Sequence, residues 1–133
     1  MMPTNLRIIR VRDFLKVTPQ GVQDFNTLKQ DVAEAASMPG AFIDYDVLLD
    51  TRGAEIHLSV VDVWELAANL AKTVHRGTAK SFTAKIPVLC PVEHFDRAKF
   101  FELCAINQGL NVRAFTSFED LFEWLSGSTS RGL

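Results

Sequence analysis

Residues 45–70 read YDVLLDTRGAEIHLSVVDVWELAANL, and the fold turns on how this stretch divides. Its first six residues have a short apolar centre, Val47-Leu48-Leu49, held between acids. A run that short and continuously apolar is the pattern of a strand buried on both faces, as in a parallel sheet. From Val60 the spacing changes. Val60, Val63, Ala67, Leu70, Ala71 and Val74 recur every three or four residues, the mark of a helix with one apolar stripe. Ser59 stands just ahead with Asp62 three residues on, a capping box with aspartate in place of the usual glutamate. Gly77 follows as a stop. Residues 51–58 between strand and helix read as a loop.

The same alternation extends outward on both sides. Upstream, Leu6 to Val17 (LRIIRVRDFLKV) predicts a strand with one wet face. Thr18-Pro19 then predicts a helix start, with Val22, Phe25, Leu28 or Lys29, Val32 and Ala36 on its inner face and Pro39-Gly40 as its end. Downstream, residues 84–90 (AKIPVLC) predict a third strand. Pro87 donates no ladder hydrogen bond, so a bulge, an edge position or a late strand start is expected there. Glu93 to Gln108 predicts a helix with Phe95, Ala98, Phe101 and Ile106 inward and Gly109 as its stop. Asn111 to Phe115 predicts a short fourth strand. Thr116 with Glu119 predicts the cap of a last helix that buries Phe118, Leu121, Phe122 and Leu125 and ends at Gly127.

Four strand–helix units predict an α/β fold: a four-stranded, mostly parallel sheet with right-handed crossovers and helices on both faces. Ligands on such sheets sit beyond the carboxyl ends of the strands. Here that rim comprises Thr18, residues 51–59, residues 90–94 and Thr116-Ser117.

The 133 residues suit one domain over 1–133, with a core of about 6–126 and a mobile tail at 127–133. The net charge of −2 leaves no basic excess to neutralise a phosphate backbone, which argues against nucleic-acid binding. No apolar run approaches the roughly 20 residues of a membrane span, and the first residues lack the basic-then-apolar pattern of a secretory signal. A cytoplasmic location is expected. The two cysteines, Cys90 and Cys104, are too few for a disulfide scaffold and form no CxxC pair. Cys104, among apolar helical neighbours, reads as a small core residue.

The stretch at 45–70 is followed by residues 85–125, KIPVLCPVEHFDRAKFFELCAINQGLNVRAFTSFEDLFEWL. Together they resemble the SpoIIAA-like branch of the STAS superfamily over roughly residues 6–126. The most specific pieces are Val47-Leu48-Leu49-Asp50 and Val112-Arg113-Ala114-Phe115 with Trp124-Leu125. The resemblance implies a sheet ordered 2-1-3-4 and a non-enzymatic domain that binds a protein partner, with no cofactor and no metal. In members that antagonise anti-sigma factors, a serine at the start of the helix after the aspartate-ending strand is phosphorylated. Ser59 lies near that place, so the resemblance implies a possible regulatory phosphosite there. The family's switch loop reads Asp-Ser followed soon by glycine, whereas here Leu58 precedes Ser59 and Val60-Val61 follow. Arg52, Glu55, His57, Ser59, Val61, Trp64 and Ala68 form the expected partner-binding surface. Val61, Trp64 and Ala68 give the helix a second apolar stripe, which is either buried or part of a homodimer.

Other chemistry finds less support in the residues. Asp50 at a strand end resembles the phosphoacceptor of receiver domains, but no acidic pair follows Val17 to hold Mg²⁺. Asp50 reads instead as an acceptor that anchors its loop. Cys90 and His94 both reach the rim, and a reactive pair would need them within hydrogen-bond distance. No GxGxxG, P-loop or GxSxG element occurs. An alternative function is a small-molecule or lipid-binding domain with an apolar cleft between helices, lined by Phe95, Phe100, Phe101, Phe115, Phe118 and Phe122. Such a domain requires a cavity of a few hundred Å³.

Overall fold

The computed structural model describes residues 5–6, 14–42, 45–76 and 84–126. In chain order the elements are β1 (Asn5–Leu6), β2 (Phe14–Thr18), β3 (Gly21–Gln23), α1 (Phe25–Ala36), β4 (Asp46–Asp50), β5 (Ala54–Ile56), α2 (Val60–Arg76), β6 (Lys85–Leu89), α3 (Phe95–Asn107), β7 (Asn111–Phe115) and α4 (Phe118–Ser126). A 3₁₀ turn at Val92–His94 leads into α3. Gly77, Gly127 and the expected tail at 127–133 lie outside the described residues.

The four expected strands lie side by side and parallel as β2-β4-β6-β7, and β1 joins β2 antiparallel to make a five-stranded sheet. The expected order 2-1-3-4 is therefore corrected to 1-2-3-4. That order needed both flanks of the first long strand for parallel neighbours, and β1 occupies one of them. The single strand from Leu6 to Val17 is corrected for the same reason. Leu6 and Val17 are partners across an antiparallel pair, so they cannot belong to one straight strand.

The start of the first helix also moves. Gly21 has φ of +78°, a left-handed conformation that no helix continuing from Thr18-Pro19 accommodates. Asp24 is the N-cap instead. Its carboxylate accepts from the Thr27 N–H at 2.9 Å, and the Thr27 hydroxyl accepts from the Asp24 N–H at 2.7 Å. Thr27 thus fills the place usually held by Glu or Gln. Val22, expected on the helix's inner face, is extended and exposed.

Pro87 stands in an interior strand, not at an edge. The Lys85 N–H points towards β4, where Asp46 Oδ1 accepts it at 2.7 Å, and the Leu89 carbonyl accepts from Thr51 N–H on the same side. Odd-numbered residues therefore turn their backbone groups to β4, and the donor that Pro87 lacks would have faced β4 too. The β4–β6 ladder accordingly starts late, at Leu49↔Val88, while the β6–β7 ladder is continuous from Lys85↔Asn111 to Leu89↔Phe115. The expected late strand start is not seen, since β6 begins at Lys85 and runs through Pro87; it is the pairing with β4 that starts late. The outer side of β7 is blunted as well: Glu102 on α3 accepts the Ala114 N–H at 2.8 Å.

Each face of the sheet has its own core, because successive side chains alternate. Leu15, Val17, Val47, Ile86, Val88 and Val112 point to the face covered by α1, α2 and α3. Phe14, Leu48, Leu89 and Phe115 point to the other, covered by α4 through Leu121, which is fully buried. Trp124 packs partly buried on that second core, its ring 5.6 Å from that of Phe115. Several details of the helices differ from expectation. Ile106 is exposed, and Cys104 and Ala105 fill the inner face of α3 beside Phe101. The cap of α4 is Ser117, whose Oγ accepts from Asp120 N–H, not Thr116 with Glu119. Phe118 is exposed because it is the first residue of α4. On α2 Val60 is exposed for the same reason, and Leu66 joins the buried stripe of Val63, Ala67, Leu70, Ala71 and Val74.

Candidate functional site

The segment after β4 builds the rim. Asp50 is buried, yet both of its oxygens are satisfied. Arg52 donates Nε to Oδ1 at 3.0 Å and Nη2 to Oδ2 at 2.9 Å, its backbone N–H adds a contact at 3.2 Å, and Lys16 Nζ lies 3.4 Å away. Burial pushes the Asp50 carboxyl up, but the hydrogen bonds from Arg52 and the charges of Arg52 and Lys16 outweigh it and hold the group below the usual carboxylate range. Asp50 is thus the loop anchor expected of it. Next in the chain, Thr51 donates both its N–H and its hydroxyl to the Leu89 carbonyl.

The loop contains structure that its sequence concealed. Ala54–Ile56 forms β5, which pairs in parallel with β3 as a separate two-stranded sheet, and His57 N–H continues the pairing to Gln23 O at 2.9 Å. His57 Nε2 lies 2.8 Å from Glu55 Oε2 on the exposed side. Ser59 is the expected cap: its Oγ accepts from Asp62 N–H, and Asp62 Oδ2 accepts from Ser59 N–H, each at 3.1 Å. Arg97 at the start of α3 donates to the Leu58 carbonyl and ties this loop to the third helix.

Between these segments and the first sheet face lies a cleft of about 340 Å³. Its floor is Val17, Leu49 and Val88 from the strands. α1 contributes Leu28, Asp31 and Val32, and α2 contributes Val63, Leu66 and Leu70. The loop supplies Thr51, Ile56 and Leu58, and Cys90, Ala98 and Phe101 close the far wall. Glu93, His94, Asp96 and Arg97 are exposed and line the cleft too, so they form its mouth. The cleft opens at the carboxyl ends of the strands, where a parallel sheet binds ligands. Of the six phenylalanines expected to line such a cleft, only Phe101 does so. Phe115 and Phe122 belong to the other core, and Phe118 is exposed.

Of the expected partner surface, Arg52, Glu55, His57, Ser59, Val61 and Trp64 are exposed and Ala68 is half-buried. Val61 and Trp64 keep 63% and 54% of their surface, so the second stripe of α2 is not covered within the protomer. Cys90 and His94 do not form a pair. Cys90 is buried, its Sγ contacts the Phe115 carbonyl, and burial pushes its thiol up, whereas His94 faces solvent. Among the described residues no group of three or more His, Cys, Asp or Glu is placed to hold a metal, and no helix is long and apolar enough to cross a membrane.

Parts of the cleft carried a sequence signal. Leu66 falls three after Val63 and four before Leu70, at helical spacing within the stripe. Asp31 and Arg97 gave none, because their roles depend on which helices become neighbours.

No protein-family model matches the chain, and no curated protein does. One solved structure matches over almost its whole length: a protein of the DUF3478 family from Shewanella loihica PV-4, described as uncharacterised and as having a SpoIIAA-like fold. The match has a TM-score of 0.56 at 15% identity and covers 94% of this chain and 95% of that one. The four parallel strands, the helices on both faces and this neighbour together give the chain a SpoIIAA-like α/β fold.

Proposed function

We propose that this is a non-enzymatic binding domain whose cleft holds a small, mainly apolar molecule. The observation that carries the proposal is the hollow of about 340 Å³ with apolar walls and a polar mouth, at the rim where a parallel sheet receives ligands. Its volume sits at the lower end of the roughly 300–1,000 Å³ of small-molecule sites. Titration with the neutral fluorescent probe N-phenylnaphthylamine tests it. Saturable enhancement is expected from the wild type and loss of it from Ala98→Trp, which fills the cleft from its half-buried far wall. No enhancement with the wild type would refute the proposal. A cytoplasmic setting belongs to it, since two buried free thiols, Cys90 and Cys104, suit a reducing compartment.

A second reading, a regulatory protein-binding domain or homodimer, is favoured by a separate observation. Val60, Val61 and Trp64 are exposed together at the start of α2, beside Arg52, Glu55, His57 and Ser59 of the loop. Trp64→Glu is expected to abolish any self-association seen in sedimentation, or capture of a partner in pull-down. A strictly monomeric wild type that captures nothing would remove this reading. Phosphorylation of Ser59 would have to break the reciprocal cap with Asp62 and set two anions side by side. Mass spectrometry of protein from native cells tests that switch, and an unmodified Ser59 under all growth conditions would dismiss it.

A further inference from the structure

Resting on the reading of α2 as a homodimer surface, we infer that two copies of the chain pair antiparallel through the outer faces of α2, with Glu65 of each copy against Lys72 of the other. α2 packs on both α1 and α3 through its buried stripe from Val63 to Val74. Outside that stripe Val61, Trp64, Glu65 and Lys72 are exposed, and Ala68 is half-buried among them.

Charge along α2 is segregated. Asp62 and Glu65 stand in its first half, and Lys72, His75 and Arg76 in its second. Side chains three or four residues apart are neighbours on a helix. At those distances Glu65 has no cation and Lys72 has no anion. Among the described residues neither makes an ion pair. Seven residues fall about 20° short of two full turns, so the two share one exposed line, roughly 10.5 Å apart along the axis.

A second copy answers both charges at once. A two-fold axis beside Ala68 and Asn69 sets Glu65 against Lys72 of the second copy, and Lys72 against its Glu65. Ala68 then sits at the crossing, where a methyl side chain lets two helices come close. Val61 and Trp64, next to that line, cover the second half of the other helix. A parallel pair fails, because it sets Glu65 against Glu65 and Lys72 against Lys72. A contact carried by one helix face is small for a protein interface, so the dimer is weak, with Kd on the order of 10 μM.

The test is sedimentation equilibrium at low ionic strength on the wild type, Glu65→Lys, Lys72→Glu and an equimolar mixture of the two variants. Both positions are exposed. Each variant alone sets like charges together twice, and its self-association is expected to weaken roughly tenfold. The mixture is expected to recover the wild-type affinity, since one copy then carries lysine at both positions and the other glutamate at both. Recovery also shows that the variants are folded. Single variants that associate as tightly as the wild type overturn the antiparallel pairing and leave a homodimer standing. So does a mixture no tighter than its components. A wild type that stays monomeric at millimolar concentration sinks the homodimer reading itself, so the two failures are distinct.

Discussion

Arg52→Met isolates what the Asp50 anchor contributes. It removes two charge-assisted hydrogen bonds, at 3.0 and 2.9 Å, and leaves a buried carboxylate with Lys16 at 3.4 Å and the residue-52 backbone N–H at 3.2 Å. Bonds to charged groups contribute about 1.5–3 kcal/mol each in favourable cases. The Arg52 side chain is half exposed, so screening and lost rotamer freedom take back much of this. The expected net loss is about 1–2 kcal/mol at neutral pH. Its pH dependence has a definite sign. The folded carboxyl titrates below its unfolded value, so the stabilisation is present above about pH 4 and is lost as pH falls through the folded value. Urea unfolding of wild type and variant should therefore differ at neutral pH and converge in acid. In a double-mutant cycle with Asp50→Asn, the two losses should sum to more than the loss in the combined variant. A gap that stays constant with pH, or strict additivity, would refute the anchor.

Other residues test other joints. Asp46→Ala deprives the Lys85 N–H of its acceptor beside Pro87 and should cost roughly 1–3 kcal/mol in chemical denaturation. Leu121→Ala empties the one fully buried position of α4 and should cost about 2–5 kcal/mol, seen as a lower thermal midpoint. Ser59→Ala removes half of the α2 capping box and should cost about 1 kcal/mol, with Ser59→Asp losing less because aspartate also caps.

Legibility followed the range of the interactions involved. β4, β7 and the core of α2 could be read directly, because Val47-Leu48-Leu49, Asn111–Phe115 and the Val63–Val74 stripe carry their periodicity within a few residues. Local chemistry misled where two signals competed. Thr18-Pro19 has the composition of a helix start, but Gly21 and the Asp24–Thr27 box place the helix further on, and Thr27 is a box partner that the usual pattern omits. Ser117 and Thr116 are both good caps, and only the direction of the chain leaving β7 chooses between them. The sheet order, the β3–β5 pair and the part of the cleft that depends on which helices are neighbours were not legible. Ala54-Glu55-Ile56 is too short to carry a period, and its partner is Gly21-Val22-Gln23, more than thirty residues away. Arg97 is likewise explained only by the Leu58 carbonyl it reaches across 39 positions.

The anchor and the cleft belong to one mechanical unit. Asp50 holds the start of a loop whose Thr51, Ile56 and Leu58 form a wall of the hollow, and Arg97 holds its far end. A ligand that dries those apolar walls binds the folded chain and not the unfolded one, so it must raise stability by mass action. At a free concentration one hundred times Kd the gain is about 2.7 kcal/mol, which for a chain of this size is a rise in Tm of roughly 10 °C. A scan of the thermal midpoint against N-phenylnaphthylamine measures it. Arg52→Met, by loosening the wall, should weaken the probe's binding and so shift the Tm curve to higher probe concentration. Probe fluorescence that rises while the midpoint stays fixed or falls would show the dye on unfolded chains or exposed surface, and would separate the Asp50 anchor from any role in binding.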